Sequence, residues 1–337
     1  MIDLLAQAGG SIVEEWTSNF WLALILKTVA VMAFFLIVPL GVGYMEHKVL
    51  AHMQGRLGPM EAGVFHGWAQ LIADGVKFIQ KEDIVPAAAD RTIFTLAPAV
   101  AMVPYIAILV VLPFSGSLFA LNLDVGIFFV MAMSSVSVIG VLMAGWSSAN
   151  KFSLIGALRA AAQLIAYELP LVLAAAGVVM LAGVTSMVGI VEAQESLWYV
   201  VPLFPLFLIF MVASLAELSR TPFDMPIADS EIIYGAYTEY GGLKFAFFLL
   251  AEYGGIVALS GIAAVLFLGG YQGLPGIPLP DPIWMALKIG LLSFVVIWCR
   301  ATYPRLREDQ LQRFAWLALI PLSLVWILVA AFLKVAF

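Results

Sequence analysis

The chain is dominated by long apolar runs. Six of these runs contain no charged residue, and two more contain a single lysine, Lys27 or Lys288. A helix needs about 20 apolar residues to cross a hydrocarbon core roughly 30 Å thick, whereas a membrane barrel would show strands of about ten alternating residues. The runs therefore predict an all-α polytopic membrane protein with eight transmembrane helices. The predicted spans cover residues 20–42, 92–114, 125–146, 156–184, 197–217, 244–270, 282–300 and 314–334.

Composition supports this class and gives an orientation. The chain is 63% hydrophobic and 11% charged, against roughly 45–50% and 25% for a soluble domain. The three loops predicted on one side carry no lysine or arginine, and the four loops on the other side carry most of them. The positive-inside rule then places both termini outside. We interpret Lys27, Lys288 and Lys334 as side chains that snorkel to the outer interface.

Cysteine and histidine usage argues against a prosthetic group in this chain. Cys299 is the single cysteine, so an iron–sulfur cluster would need ligands from a partner. All three histidines fall in the first inner loop, so no pair of transmembrane histidines faces a haem. Electrons that move near this chain are therefore expected to be carried by another subunit.

The first inner loop predicts an amphipathic helix over about residues 60–82. Its apolar residues recur at helical spacing, while Gln70, Asp74 and Lys77 follow one another on a different face. Such a helix lies in the membrane interface. It is either a peripheral anchor with a solvated face or a wall of a lipid-accessible cavity, with Asp74 and Lys77 facing that cavity.

Several carboxylates fall within or at the ends of the spans. Glu168 lies about 18 Å into the fourth span, so it must find a partner on another helix or be protonated. Glu252 lies roughly two turns into the sixth span. Glu46 and Glu217 end the first and fifth spans, where a simple ion pair with a nearby basic residue is an alternative. Desolvation and neighbouring carboxylates both favour the protonated form of such groups, so they suit proton transfer near neutral pH.

The inner loop of residues 218–243 concentrates charge and aromatic residues. Two prolines prevent a continuous helix, and Arg220 is expected to act as a clamp between Glu217 and Asp224. Three more carboxylates then alternate with tyrosines. On a soluble protein this would be a solvated surface, but here the loop joins two membrane spans and predicts a site that handles charge. The alternating residues are Asp229, Glu231 and Glu239 with Tyr234, Tyr237 and Tyr240.

Nine motifs in order give the chain a family resemblance. It resembles the family of membrane H subunits in proton-pumping NADH:quinone oxidoreductase, which is respiratory complex I or type 1 NADH dehydrogenase. Relatives of that family occur in group 4 hydrogenases. The motifs are EHK (46–48), QGRLGP (54–59), ADGVKFIQKED (73–83), WSSANKFSLIGALR (146–159), YELP (167–170), AELSRTPFD (216–224), TEYGG (238–242), AEY (251–253) and RATYPRLREDQ (300–310).

The resemblance implies a quinone chamber and a charged path leading from it. The implied partners are soluble subunits that carry the terminal iron–sulfur cluster and the quinone-headgroup site, antiporter-like membrane subunits, quinone as substrate, and lipid. No nucleic-acid partner is expected, and the implied location is the bacterial cytoplasmic (inner) membrane. The path is expected to include Glu168, Glu217, Asp224, Asp229, Glu231, Glu239 and Glu252. The chamber is expected to include Glu46, Arg56, Asp74, Lys77, Arg220, Tyr234 and Arg300.

The chain departs from the family pattern after the PFD motif. The family pattern resembles P-E-A-E-x-E there, whereas this chain reads PIADSE at residues 226–231. One carboxylate is missing and another is shortened, and we hypothesise that Asp229 and Glu231 suffice together with water. His47 and Met60 are two smaller departures, at positions where an arginine and an asparagine are common.

Three alternatives remain open on sequence grounds. The chain could be the equivalent subunit of a membrane-bound hydrogenase or another quinone-type dehydrogenase. It could be a stand-alone ion transporter, or it could be an anchor for soluble subunits without a role in proton transfer.

Overall fold

The structure is helical throughout its described part. The computed structural model describes residues 19–274 and 276–336, without the side chains of Asp229 and Ser230. No strand occurs in these ranges, so the predicted all-α class is confirmed. In chain order the helices are α1 (Phe20–Met53), α2 (Gln70–Gln80), α3 (Arg91–Val111), α4 (Gly126–Ser147), α5 (Lys151–Ala182), α6 (Met187–Glu192), α7 (Phe204–Glu217), α8 (Asp229–Ile232), α9 (Gly242–Phe267), α10 (Asp281–Thr302) and α11 (Glu308–Ala336).

Seven of the described helices are long and apolar enough to cross a membrane. The exception among the predicted spans is the fifth, because α7 has only 14 residues. At 1.5 Å per residue it is about 21 Å long, which is shorter than a bilayer core of roughly 30 Å. The chain forms turns before α7, and Pro205 lies in the first turn of the helix. The count of eight spans and the outer position of both termini therefore remain predictions.

The amphipathic helix is shorter than the sequence pattern predicts. It begins at Gln70, not near residue 60. Four residues just before it have φ values between 52° and 85°, in a left-handed region that a right-handed helix cannot contain. These residues are Gly63, Val64, His66 and Gly67. The apolar spacing upstream of Gln70 therefore belongs to a turn-rich segment.

Helix α9 forms the centre of the bundle. In its most apolar window 78% of the residues are buried, compared with 11% for α1 and 17% for α11. It packs against α1, α3 and α10. Glu252 is therefore carried by the most deeply buried of the long helices. The outer helices α1 and α11, in contrast, expose apolar surface to their surroundings.

Small residues allow the helices around α9 to approach closely. A Cβ atom on Gly140 of α4 would lie 2.4 Å from the backbone nitrogen of Ala101 on α3. A Cβ atom on Gly145 would lie 2.5 Å from the carbonyl oxygen of Ser153 on α5. Both contacts are too short for any side chain, so glycine fixes the α3–α4 and α4–α5 packing.

Lys288 does not snorkel as the sequence analysis predicts. The residue is 6% exposed, and its ammonium group donates to the carbonyl oxygens of Leu268, Gly270 and Gln272 at 2.6, 2.7 and 2.6 Å. The same group lies 4.2 Å from the ring centre of Trp198. The loop that follows α9 leaves these carbonyls without helical partners, and the lysine satisfies them. Lys288 therefore stabilises the C-terminal end of α9, which is the end opposite the charged loop.

We expect Lys288→Met to lower the free energy of unfolding by about 2 kcal/mol, because buried carbonyls would lose their hydrogen-bond donor. The midpoint of heat-induced aggregation of the detergent-solubilised protein measures the change. Lys151→Met is the matched control, since Lys151 is exposed at the start of α5. Equal midpoints for the two variants would contradict this role of Lys288.

Candidate functional site

The centre of the candidate site is a buried arginine held between two carboxylates. Arg220 is 3% exposed, and its guanidinium donates to Glu46 at 2.7 Å. Glu46 is itself 2% exposed. A carboxylate oxygen of Glu252 lies 2.6 Å from Nε of Arg220, off the direction of the N–H bond, so this contact is mainly electrostatic. The ring of Tyr253 lies 4.9 Å from the guanidinium carbon. Burial disfavours the charged form of Arg220, but Glu252 and Glu46 more than offset it and raise its pKa.

Arg300 extends this pair into a row of alternating charges. Its guanidinium donates to the second carboxylate oxygen of Glu46. The row therefore runs Arg300, Glu46, Arg220, Glu252, with two positive and two negative charges. It joins α10, α1, the loop after α7, and α9. Buried charges are tolerated when they are paired in this way, and removing one member leaves its neighbour uncompensated.

The predicted clamp of Arg220 between Glu217 and Asp224 is wrong. Helix α7 ends at Glu217, and Ser219 has a φ of 50°, so the chain changes direction before Arg220. Asp224 instead forms a two-point ion pair with Arg305, at 2.6 and 2.7 Å. Glu217 is 7% exposed, and its Oε1 atom has no hydrogen-bond partner.

A cavity of about 160 Å³ adjoins the row of charges. Its polar wall combines arginines, carboxylates and tyrosines, while Phe245, Phe248 and Leu249 form an apolar wall. Such a mixture suits an amphipathic ring compound, because a flat ring packs on the apolar side and polar substituents meet the charged side. The polar lining includes Arg220, Asp224, Tyr234, Tyr237, Glu252, Arg300 and Arg305.

A smaller cavity of about 50 Å³ leads from this site toward Glu217. Glu252 and Tyr237 line both cavities, and Glu217 lines the smaller one. Burial raises the pKa of the Tyr237 phenol, so the group stays neutral and can act as a hydrogen-bond donor or acceptor. The two cavities thus place Glu252 and Glu217 along one polar route.

Glu168 lies on α5, near Glu217. Its charge acts on Glu217, and it accepts a hydrogen bond from the Ser135 hydroxyl on α4. This agrees with the expectation of a partner on another helix. A single interhelical hydrogen bond also fits the structural alternative, a protonated glutamate that only stabilises packing.

Of the remaining predicted path residues, Glu231 and Glu239 do not line either cavity. Glu231 forms an ion pair with Arg159 at 2.7 Å, and the glutamate side chain is 44% exposed. Glu239 accepts a hydrogen bond of 2.5 Å from Asn150. The side chain of Asp229 lies outside the described part of the structure. The connection of these three residues to the route therefore stays a prediction.

Four of the predicted chamber residues do not line either cavity. Glu46 instead pairs with Arg220 and Arg300, and the other three are Arg56, Asp74 and Lys77. Arg56 is exposed and donates to Gln54 at 2.8 Å. Asp74 accepts from Gln70 and from Lys77, each at 3.0 Å. Partial burial acts to raise the pKa of Asp74, but the bonds from Lys77 and Gln70 lower it overall. Asp74 and Lys77 thus satisfy each other on α2.

Sequence reasoning missed three residues that shape the site. Arg305 holds Asp224, and Tyr105 lines the smaller cavity. Gln163 is buried on α5 and donates to the carbonyl oxygens of Ala216 and Phe223, both at 2.8 Å. A glutamine inside an apolar span was a usable signal, because polar side chains there need partners. Neither Arg305 nor Tyr105 stands out from its neighbours in the sequence.

Comparisons with known proteins place the chain in a family. The sequence profile described as NADH dehydrogenase matches residues 26–331. The H subunit of NADH-quinone oxidoreductase from Geobacillus kaustophilus is 45% identical over 293 residues, which cover 87% of this chain and 88% of that protein. The protein of the same name from Bacillus mycoides is 42% identical over 338 residues, which cover 100% of both chains. The chain therefore belongs to the NADH dehydrogenase family, which confirms the resemblance carried by its motifs.

Proposed function

We propose that this chain is the quinone-chamber and coupling subunit of a proton-pumping NADH:quinone oxidoreductase in a bacterial cytoplasmic membrane. The observation that carries the proposal is the row Arg300, Glu46, Arg220 and Glu252, whose central pair Glu46–Arg220 is buried. The row borders a cavity, and Glu252 also lines the smaller cavity that reaches Glu217, whose Oε1 atom has no partner within the protein. The relatives named above are subunits of an oxidoreductase that acts on quinone. Quinone would be the substrate, reduced by electrons from an iron–sulfur cluster in a soluble partner subunit.

The cavity supports a chamber that partner subunits complete. Pockets that hold drug-sized ligands measure about 300–1,000 Å³. The cavity of about 160 Å³ is smaller than that range. A quinone bound here would therefore extend into space formed by the neighbouring soluble subunits. Antiporter-like membrane subunits would receive the signal at the opposite end of the route, beyond Glu168.

Electrostatics can link the chemistry to proton transfer. A charge created about 7 Å from a carboxylate is worth about 2 kcal/mol at an effective dielectric of 20, which shifts a protonation equilibrium more than tenfold. Glu252 is compensated by Arg220, so a negative charge in the cavity that attracts Arg220 would weaken this compensation. Glu252 would then take up a proton, and Glu217, which has an unpaired oxygen, is the next acceptor along the route.

Glu217→Gln is expected to abolish quinone reduction coupled to proton uptake while the assembled complex remains intact, because glutamine keeps the shape of the side chain but cannot titrate. Inverted membrane vesicles that contain the whole complex allow both rates to be measured. Glu195→Gln is the control, since Glu195 is exposed in the loop before α7. A Glu217→Gln complex with normal rates would refute the coupling role, and loss of assembly alone would assign Glu217 to structure.

The stand-alone transporter is the competing class, and reconstitution distinguishes it. The purified chain in liposomes should give no proton flux above that of empty liposomes, because partners supply the electron donor and the remaining membrane path. A pH-sensitive dye inside the liposomes reports the flux, and an added ionophore confirms that the dye responds. Flux through the single chain would favour the transporter, whereas flanking genes for cysteine-rich cluster proteins would favour the subunit.

A further inference from the structure

Tyr105 of α3 presents a hydrogen-bond acceptor to the smaller cavity. The residue is 6% exposed, and its hydroxyl lies 3.3 Å from the Ser137 hydroxyl on α4. Ser137 donates its only hydrogen to the carbonyl oxygen of Ser134, at 2.8 Å. When Ser137 donates to Ser134, Tyr105 is the donor in the Tyr105–Ser137 bond. Its phenolic oxygen keeps its acceptor capacity for a group in the cavity.

The ring of Tyr105 is fixed next to the helix that carries Glu252. Gly255 lies three residues after Glu252 on α9, and a Cβ atom there would come within 3.0 Å of the tyrosine ring. A side chain at this position would have to displace the tyrosine ring and the end of the Leu218 side chain. The ring therefore cannot move toward α9, and the bond to Ser137 sets the direction of the hydroxyl.

The smaller cavity meets the requirements of a water site. A water molecule needs about 10–15 Å³ of space and two to four polar partners. The cavity measures about 50 Å³, and its lining includes the carboxyls of Glu217 and Glu252 and the hydroxyls of Tyr105 and Tyr237. The Oε1 atom of Glu217 has no partner within the protein. A water molecule here would satisfy that atom, and Glu252 lines the same cavity.

We propose that Tyr105 is a positioning residue that orients a bridging water between Glu252 and Glu217, so that a proton passes between them. The proposal rests on the proposed function, because it specifies one step of that route. Protonated Glu252 gives its proton to the water oxygen, and the water gives one of its own hydrogens to Glu217. Glu252 becomes a carboxylate, Glu217 becomes an acid, and the water is restored without any redox change. The Arg220 contact favours ionised Glu252 and so drives this direction.

Tyr105→Phe tests the proposal, because it keeps the ring against Gly255 and removes only the hydroxyl. In vesicles containing the whole complex, quinone reduction coupled to proton uptake is expected to fall about tenfold, which is less than the roughly 10²–10⁴-fold of a group that transfers the proton itself, because Tyr105 only orients the water. The ratio of rates in H₂O and D₂O should rise, because the bridged transfer becomes rate-limiting. Tyr199→Phe is the matched control, since this buried tyrosine donates to the Ala193 carbonyl and lines neither cavity.

A Tyr105→Phe complex that assembles and keeps both the normal rate and the normal isotope ratio overturns the proposal. If that variant fails to assemble, Ser137→Ala decides, because it removes the acceptor that aims the Tyr105 hydroxyl. A drop of two- to threefold with a raised isotope ratio supports the proposal, and normal values overturn it. A separate experiment tests the proposed function itself. If that function is wrong, the Glu217→Gln complex will show normal coupling between quinone reduction and proton uptake.

Discussion

The structure depends on how one buried arginine is compensated. Arg220 is only 3% exposed, so its charge depends on Glu46 and Glu252, which lie against it. This requirement brings together α1, α9 and the loop after α7, and Arg300 adds α10 through Glu46. A single electrostatic constraint thus joins four separate parts of the chain, and three of the four charged residues line the larger cavity. Because the charges compensate one another, a new charge in the cavity would change the electrostatic energy of every member of the row.

The carboxylates differ in how completely the protein neutralises them. Asp224 has a two-point partner in Arg305, and Glu231 has a partially exposed partner in Arg159, so both are electrostatically satisfied. Glu217 is buried with an unpaired oxygen beside a cavity. Isolated buried carboxylates are expensive in an apolar environment unless they gain a proton, a water molecule or a function. Under the proposed function, this contrast favours Glu217 over the loop carboxylates as the group that a redox event would affect.

The sequence predicted the helical membrane class, because apolar length is a local signal. All four members of the central row were named as site residues: charge within or beside the spans indicated Glu46, Arg220 and Glu252, and the family resemblance alone implied Arg300. The sequence did not predict which charges pair. Arg220 lies between Glu217 and Asp224 in the sequence, yet it pairs with residues 174 and 32 positions away, since the turn at Ser219 redirects the chain. Lys288 was misassigned for the same reason, because carbonyls freed in a distant loop became its partners. The partners of buried charged residues depend on tertiary packing, which the periodicity of the sequence does not reveal.

Infrared difference spectroscopy on the intact complex tests the central claim most directly, because protonated carboxyl groups absorb apart from carboxylates and amides. The account predicts that reduction of bound quinone changes a protonated-carboxyl band, and that this change is missing from the spectrum of a Glu252→Gln complex that still binds quinone. A spectrum without any carboxyl change on quinone reduction, or one that is identical in the variant, would contradict the claim that cavity charge controls protonation at this site.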